Sequence, residues 1–277
     1  MTNFDKIYRT AIEHVYTQGE DVYSERTGIN TKAVPGYTFN MDPAKGFPLL
    51  TLRKIPIKLF VAEVVWMITG QKHLEFLRRY TKVWDEFAED DGTVQAAYGH
   101  RWRNYFGRDQ LIDLVTHLHE EPSSRQAVVM MWDPATDGLR APKRKNVPCP
   151  FTWVGNIIGG KFNLHLIIRS NDMMLGNPHD TAGFALLQAI IAQELGVEAG
   201  KFTLSISHAH IYGSHFEQAE EVLTREDHKH EEILCKLPEK TFLRALAGDA
   251  HLVDEITEMF LEQYKPAPPV KRMKVAL

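Results

Sequence analysis

The chain has 277 residues, is 44% hydrophobic and 25% charged, and carries 32 Lys and Arg against 36 Asp and Glu, a net charge of −4. This balance excludes a disordered or fibrous protein, and a chain of this length can bury a core without disulfide or metal staples. The charge also argues against a general electrostatic grip on nucleic acid, and the two distant cysteines, Cys149 and Cys235, fit a reducing, cytoplasmic compartment.

Phe4, Ile7, Tyr8, Ala11, Ile12 and Val15 fall on one helical face that Gly19 closes, a capped amphipathic pattern and not a signal peptide. Tyr23 to Asn40 reads as loop or short strand. Pro56 to Ile68 reads as a buried helix; Lys58 and Glu63 interrupt this apolar stretch, which is too short to span a bilayer. Glu75 to Trp84 reads as helical, residues 89–92 as a turn, and Gln110 to His119 as a helix that Pro122 ends. Ala127 to Trp132 has the apolar run of a strand, and Pro134 to Pro148 is an exposed basic loop. Phe151 to Ile158 and Lys161 to Ile168 flank Gly159-Gly160, a hairpin signature. Phe184 to Leu195 is apolar nearly all round and should form a central helix, with Gly196 at its C-cap. Phe202, Leu204 and Ile206 alternate as a strand. Phe242 to Tyr264 reads as helical and leads into a Pro-rich tail. There is no internal repeat and no linker, so the expectation is one α+β domain over residues 1–277.

Cys149, in Val147-Pro148-Cys149-Pro150, is either a small buried hydrophobe or a thiolate nucleophile. The thiolate needs positive charge nearby; Arg140, Lys143, Arg144 and Lys145 are close in sequence. Cys235 lies in a charged, helical-looking stretch with no evident role. Arg169-Ser170-Asn171-Asp172 ends an apolar strand and suits either an anion or a surface turn with a salt bridge. Asp180 could be a simple N-cap. His208, His210 and His215 lack the spacing of a metal site, and no metal is expected.

Taken together, these segments resemble the thymidylate synthase family, nearly end to end and with its motifs in order. Arg26-Thr27-Gly28 resembles its phosphate-loop arginine. Glu63, ahead of Trp66, resembles its catalytic glutamate. Trp84-Asp85-Glu86 and Tyr98-Gly99 resemble its folate-side tryptophan and active-site tyrosine. Ser124-Arg125 resembles the arginine strand that reaches into the partner subunit. Pro148-Cys149 matches the nucleophile, residues 169–172 and Leu175-Gly176 the signature after it, and His210-Ile211-Tyr212 the sugar-binding strand. Tyr264 through Lys271 to Leu277 resembles the closing tail. The resemblance implies a large mixed β-sheet covered by helices and a homodimer formed through the sheet.

Several positions depart from the family pattern. Asp180 stands where thymidylate synthases carry the asparagine that reads the pyrimidine. Pro150 and His208 replace a histidine and an aspartate, Gln126 an arginine, Phe87 a tryptophan, and His179 an aromatic residue. Aspartate at the base-reading position is similar to the pattern of the family's phage deoxycytidylate hydroxymethylases. Uracil offers an N3–H donor and an O4 acceptor, which an asparagine amide complements. Cytosine offers an amino donor and an N3 acceptor, and a carboxylate with one shared proton complements those. A mismatched buried polar pair costs about 1–3 kcal/mol.

The resemblance thus implies a one-carbon transferase, with Cys149, Glu63, Tyr98 and Asp180 as catalytic residues. Arg26, Arg169, Ser170 and, across the dimer, Arg125 would hold the phosphate of a pyrimidine nucleoside monophosphate, with Asp180 on the base and His210 and Tyr212 on the sugar. Trp84, Asp172, Leu175, Gly176, His179 and Ala276 would hold the cosubstrate 5,10-methylenetetrahydrofolate. The expected product is 5-hydroxymethyl-dCMP, by addition of water. The alternatives are methylation of dCMP, which the intact tail favours, or action on dUMP. A phage enzyme of DNA modification, working in the host cytoplasm, fits this pattern. No membrane contact and no general nucleic-acid binding are expected.

Overall fold

The computed structural model describes residues 1–25, 27–142, 144–227 and 229–276. Among them seven strands form one mixed sheet: β1 (Glu20–Ser24), β2 (Ile29–Met41), β3 (Val128–Met130), β4 (Pro150–Ile158), β5 (Lys161–Ile168), β6 (Asn171–Asp172) and β7 (Glu198–Tyr212). The spatial order is β1-β2-β7-β5-β4-β3, with β6 also paired to β7. β2 runs antiparallel to β7, and β5 and β6 run parallel to it. The architecture is the α+β mixed sheet expected from the sequence.

Local chemistry explains the pieces. β4 and β5 meet in a two-residue turn at Gly159 and Gly160, with φ of +64° and +74° and Ile158 opposite Lys161. Two successive positive φ values make glycine the least strained choice at both positions. α1 (Asn3–Gln18) starts on Thr2, which shares a reciprocal capping box with Asp5. α2 (Ile57–Thr69) is buried on most sides, as its composition demands.

The short α3 (Tyr98–His100) runs into a π-helical turn over Arg101–Tyr105. Arg101 and Asp137 form an ion pair of 2.9 Å in which both side chains are fully buried. α4 (Gln110–Glu120) precedes β3. α5 (Gly176–Glu194) carries the chain from β6 back to β7, packed on α2 and on the sheet. α6 (Phe216–Thr224), α7 (Thr241–Leu246) and α8 (Ala250–Leu261) complete the helices. The core lies between these helices and one sheet face. The opposite face carries Ser205, whose hydroxyl is hydrogen-bonded to both Thr38 and His165. No helix among the described residues is long and apolar enough to cross a membrane.

The structure corrects several local expectations. Residues 23–40, expected as loop or short strand, hold the end of β1 and most of the thirteen-residue β2, a strand longer than expected. Residues 75–84 form only a 3-10 turn at Leu77–Arg79. Gly248, at φ +68°, divides the expected helix over 242–264 into α7 and α8. α5 starts eight residues before Phe184, because Pro178 sits in its first turn, where no N–H is needed. Leu175 is its N-cap, so Asp180 lies inside the helix and does not cap it. The 134–148 loop is not exposed throughout, since Asp137 is buried. Cys235 lies outside any helix.

Gly99 packs on α2 so closely that a Cβ there would fall 1.9 Å from the Met67 carbonyl oxygen. Gly99→Ala is expected to cost about 1–3 kcal/mol, as overpacking does, and to displace neighbouring Tyr98. Urea unfolding of the two proteins measures the cost.

Candidate active site

The site forms where β4 begins and β5, β6 and β7 end. Cys149 immediately precedes β4, beside a register shift between Pro150 and Thr152. Such irregularities re-aim side chains at strand ends. Across the hairpin, the Arg169 N–H donates to the Cys149 carbonyl at 2.9 Å. The Arg169 guanidinium donates to the Pro148 and Val147 carbonyls at 2.8 and 3.3 Å, and its Nη2 lies 4.0 Å from Cys149 Sγ. It also rests 5.5 Å from the Trp132 ring centre. Thus Arg169 both holds the cysteine loop in shape and places a fixed positive charge beside the sulfur, which favours a thiolate. Of the basic residues expected to supply that charge, Lys145 points elsewhere and donates to the Ala88 carbonyl at 2.8 Å.

Glu63, on α2, accepts a hydrogen bond from Trp84 Nε1 at 2.6 Å. The Trp84 ring lies edge-on to Phe87 and Tyr98. Burial pushes the Glu63 carboxyl up to about 7; the Trp84 bond opposes this and the Asp180 charge adds to it. Burial likewise drives the Tyr98 hydroxyl well above its usual range, with the charges of Cys149 and Asp180 adding.

Asp180, on α5, accepts from Asn171 Nδ2 at 2.7 Å, and Asn171 Oδ1 accepts from Asn177 Nδ2 at 2.9 Å. Burial pushes the Asp180 carboxyl up to about 7; the Asn171 bond opposes the shift and Asp172 adds to it. A cavity of about 20 Å³, lined by Glu63, Met67, His179, Asp180 and Gly183 among others, lies between these carboxyls. That is room for a single water.

Asp172 Oδ1 accepts from the N–H groups of Met174 and Leu175, at 2.8 and 3.2 Å, and so shapes the entry to α5. Its Oδ2 lies 3.9 Å from His215. His215 Nε2 in turn bonds the Lys274 carbonyl at 2.9 Å, which ties the C-terminal tail to this side of the cleft. Burial pushes His179 down to about 4, helped by Arg53, so its ring is neutral near pH 7, and its buried Nδ1 lacks a partner. Arg53 donates to the Met174 carbonyl and has a buried, unpartnered Nε. The His210 and Tyr212 rings meet edge-on at 4.8 Å at the end of β7.

The fold therefore gathers Cys149, Glu63, Tyr98, Asp180, Arg169 and Trp84, with Asp172, Leu175, Gly176 and His179 around the α5 entry. Ser170 follows Arg169 between β5 and β6. Arg125 stays apart, exposed ahead of β3. Ala276 is partly exposed near the end of the tail. Arg26, Lys143 and Leu277 lie outside the described residues. Among the described residues no three His, Cys, Asp or Glu are grouped to hold a metal. Sequence reasoning missed Asn177, Arg53, the part played by Asn171, and the link that His215 makes between Asp172 and the tail. Asn177 was detectable, because three positions before Asp180 is the same face of a helix.

Glu63 holds its proton more tightly in the folded protein than at its ordinary value of 4.5. Its stabilising contribution is therefore complete below about 4.5 and lost as pH rises through about 7. In urea titrations over this range, wild type should lose stability relative to Glu63→Gln as pH rises; parallel pH profiles would refute the assignment.

The family model for thymidylate synthase matches residues 6–277. The chain belongs to that family, whose activity is folate-dependent transfer of a one-carbon unit to carbon 5 of a pyrimidine nucleotide, with methylenetetrahydrofolate as cosubstrate.

Proposed function

We propose that this thymidylate synthase family enzyme acts on dCMP, converting it with methylenetetrahydrofolate and water into 5-hydroxymethyl-dCMP and tetrahydrofolate. The observation that carries the base assignment is Asp180: a carboxyl, not an amide, stands among buried polar groups with a proton affinity near neutrality. Such a group accepts from the cytosine amino group and shares one proton with N3.

The Cys149 thiolate adds to carbon 6. Electron density moves to N3, where the shared proton receives it, and carbon 5 becomes the nucleophile. The folate supplies the one-carbon unit. Glu63 holds and passes a proton through the water-sized cavity beside it, and Tyr98 assists loss of the carbon 5 proton. Water adds its oxygen to the exocyclic methylene left on carbon 5 and loses a proton. Cys149 then leaves carbon 6 as the ring double bond re-forms.

Arg26, Arg169, Ser170 and the partner's Arg125 hold the phosphate, and His210 and Tyr212 the sugar. The open face of the sheet, where exposed Val128 and Met130 lie alongside Thr38, His165 and Ser205, supports a dimer built through it, and the exposure of Arg125 leaves that side chain available to a second subunit. The α5 entry fits a pterin. Trp84 gives an aromatic wall, Asp172 an acceptor, and Leu175 and Gly176 a close backbone. His179 Nδ1 and Arg53 Nε are buried polar atoms awaiting partners, and Ala276 would close over the group with the tail.

A second reading, methylation to 5-methyl-dCMP, draws on the tail bound to His215, since a closed tail excludes water. Incubation with methylenetetrahydrofolate and either dCMP or dUMP, with product mass and dihydrofolate absorbance followed, separates the readings. The expected result is hydroxymethyl-dCMP without dihydrofolate. Methyl-dCMP with dihydrofolate would keep the base assignment and replace the product. Turnover of dUMP alone would overturn both.

A further inference from the structure

Asp180 is the end of a directed chain of hydrogen bonds. Its Oδ2 accepts from Asn171 Nδ2 at 2.7 Å, and Asn171 Oδ1 accepts from Asn177 Nδ2 at 2.9 Å. Asn171 and Asn177 are 2% and 1% exposed, so solvent does not compete for the bond between them, while the Asp180 end of the chain is half-buried and faces the cleft. An ionised carboxylate only accepts. Asn171 must therefore turn its NH2 toward Asp180, which leaves its carbonyl to take the NH2 of Asn177.

The direction matters once a proton is present. A neutral carboxyl donates at one oxygen and accepts at the other. With the proton on the oxygen facing N3, it complements cytosine. With the proton on the oxygen facing the 4-substituent, it complements uracil. A protonated aspartate free to place its proton on either oxygen would thus read both bases, and near neutrality burial keeps this form populated. A hydrogen bond donated to one oxygen favours negative charge there, so the proton goes to the other. Around the carboxyl stand Glu63 from α2, Asp172 from β6, and Tyr98. Among the described residues it is Asn171 that donates a side-chain hydrogen bond to it.

We infer that Asn171, held in place by Asn177, is a specificity-determining positioning residue: it commits Asp180 Oδ2 to the cytosine amino group and Oδ1 to the proton shared with N3, and so excludes uracil. This rests on the reading that Asp180 faces the base. Asn171 acts through Asp180 and is assigned no contact with substrate.

The test is calorimetric binding of dCMP and dUMP at pH 7 to wild type, Asn171→Ala, Asn177→Ala and Asp180→Asn. In Asn171→Ala the ratio of the dUMP Kd to the dCMP Kd should fall at least tenfold, about 1.4 kcal/mol of lost discrimination. Asn177→Ala should move the ratio the same way by less, because Asn171 can then turn its amide over. Weaker binding of both nucleotides with the ratio changed less than threefold would mark Asn171 as merely structural and overturn the inference. If Asn171→Ala does not fold, as judged by circular dichroism, Asn177→Ala is decided by that same threefold limit. Asp180→Asn separates the two levels. An unchanged preference there would refute the base assignment itself. A reversed preference there, with the Asn171→Ala ratio intact, would refute only the positioning role.

Discussion

The fifteen-residue strand β7 is the constraint on which the site depends. One edge bonds to β2 along most of its length, and the other bonds first to β5 and then to β6. The chain therefore leaves the sheet at Arg169 and Ser170 and rejoins it at Asn171, beside Ala209 and His210. Two residues of detour carry the guanidinium to the cysteine loop. The return sets Asn171 and Asp172 at the entry of α5. A shorter β7 would leave β6 without a partner and would detach the polar residues of the α5 entry from the nucleophile. The Met173 N–H, bonded to the His210 carbonyl at 2.9 Å, extends the same attachment by one residue.

On that frame the cleft sets charge against burial. Glu63 and Asp180 come from different helices, line one small cavity, and their charges disfavour one another. Each accepts a hydrogen bond from one neutral donor, Trp84 Nε1 or the Asn171 amide, which tempers the cost of ionisation without neutralising it. The result is two carboxyls able to gain or lose a proton near neutral pH, next to a sulfur with a fixed cation beside it. Such pairing of proton-holding groups with a nucleophile suits chemistry that moves protons on and off a heterocycle while a covalent bond forms.

Much of the fold was legible where periodicity and glycine speak plainly: α1, α2 and the β4–β5 hairpin. β2 was not, because Pro35, Gly36 and several polar residues lie within it, and a strand with one edge on β7 tolerates them through pairing and not through propensity. Asn177 and Pro178 lie ahead of the helix start expected at Phe184, although the first turn of a helix accepts proline. The identities of Cys149, Glu63, Tyr98 and Arg169 came from motif order. The nearness of Cys149 to Arg169, twenty positions apart, was implicit in the hairpin register: counting back from Ile158 opposite Lys161 sets Cys149 opposite Ser170, and the one-residue shift between Pro150 and Thr152 brings it to Arg169. The Asn177–Asn171–Asp180 chain was harder to read, because it joins a two-residue strand to a helix start eight residues ahead of Phe184. The cation on the sulfur was sought in the loop before Cys149, where charge is dense, and came from the opposite strand, where geometry is fixed.

The buried pair Arg101–Asp137 has a consequence for how this protein can change over time. It ties the π-helical turn after Tyr98 to the start of the loop that leads to Cys149, and Asp137 also accepts the Asp133 N–H at 2.8 Å. Losing either partner alone strands a charge with no access to water, whereas replacing both by apolar residues of matched volume need not. Positions 101 and 137 are therefore coupled in inheritance: replacing both together costs less than replacing either alone. The approach to the nucleophile rests on a contact that resists change one residue at a time.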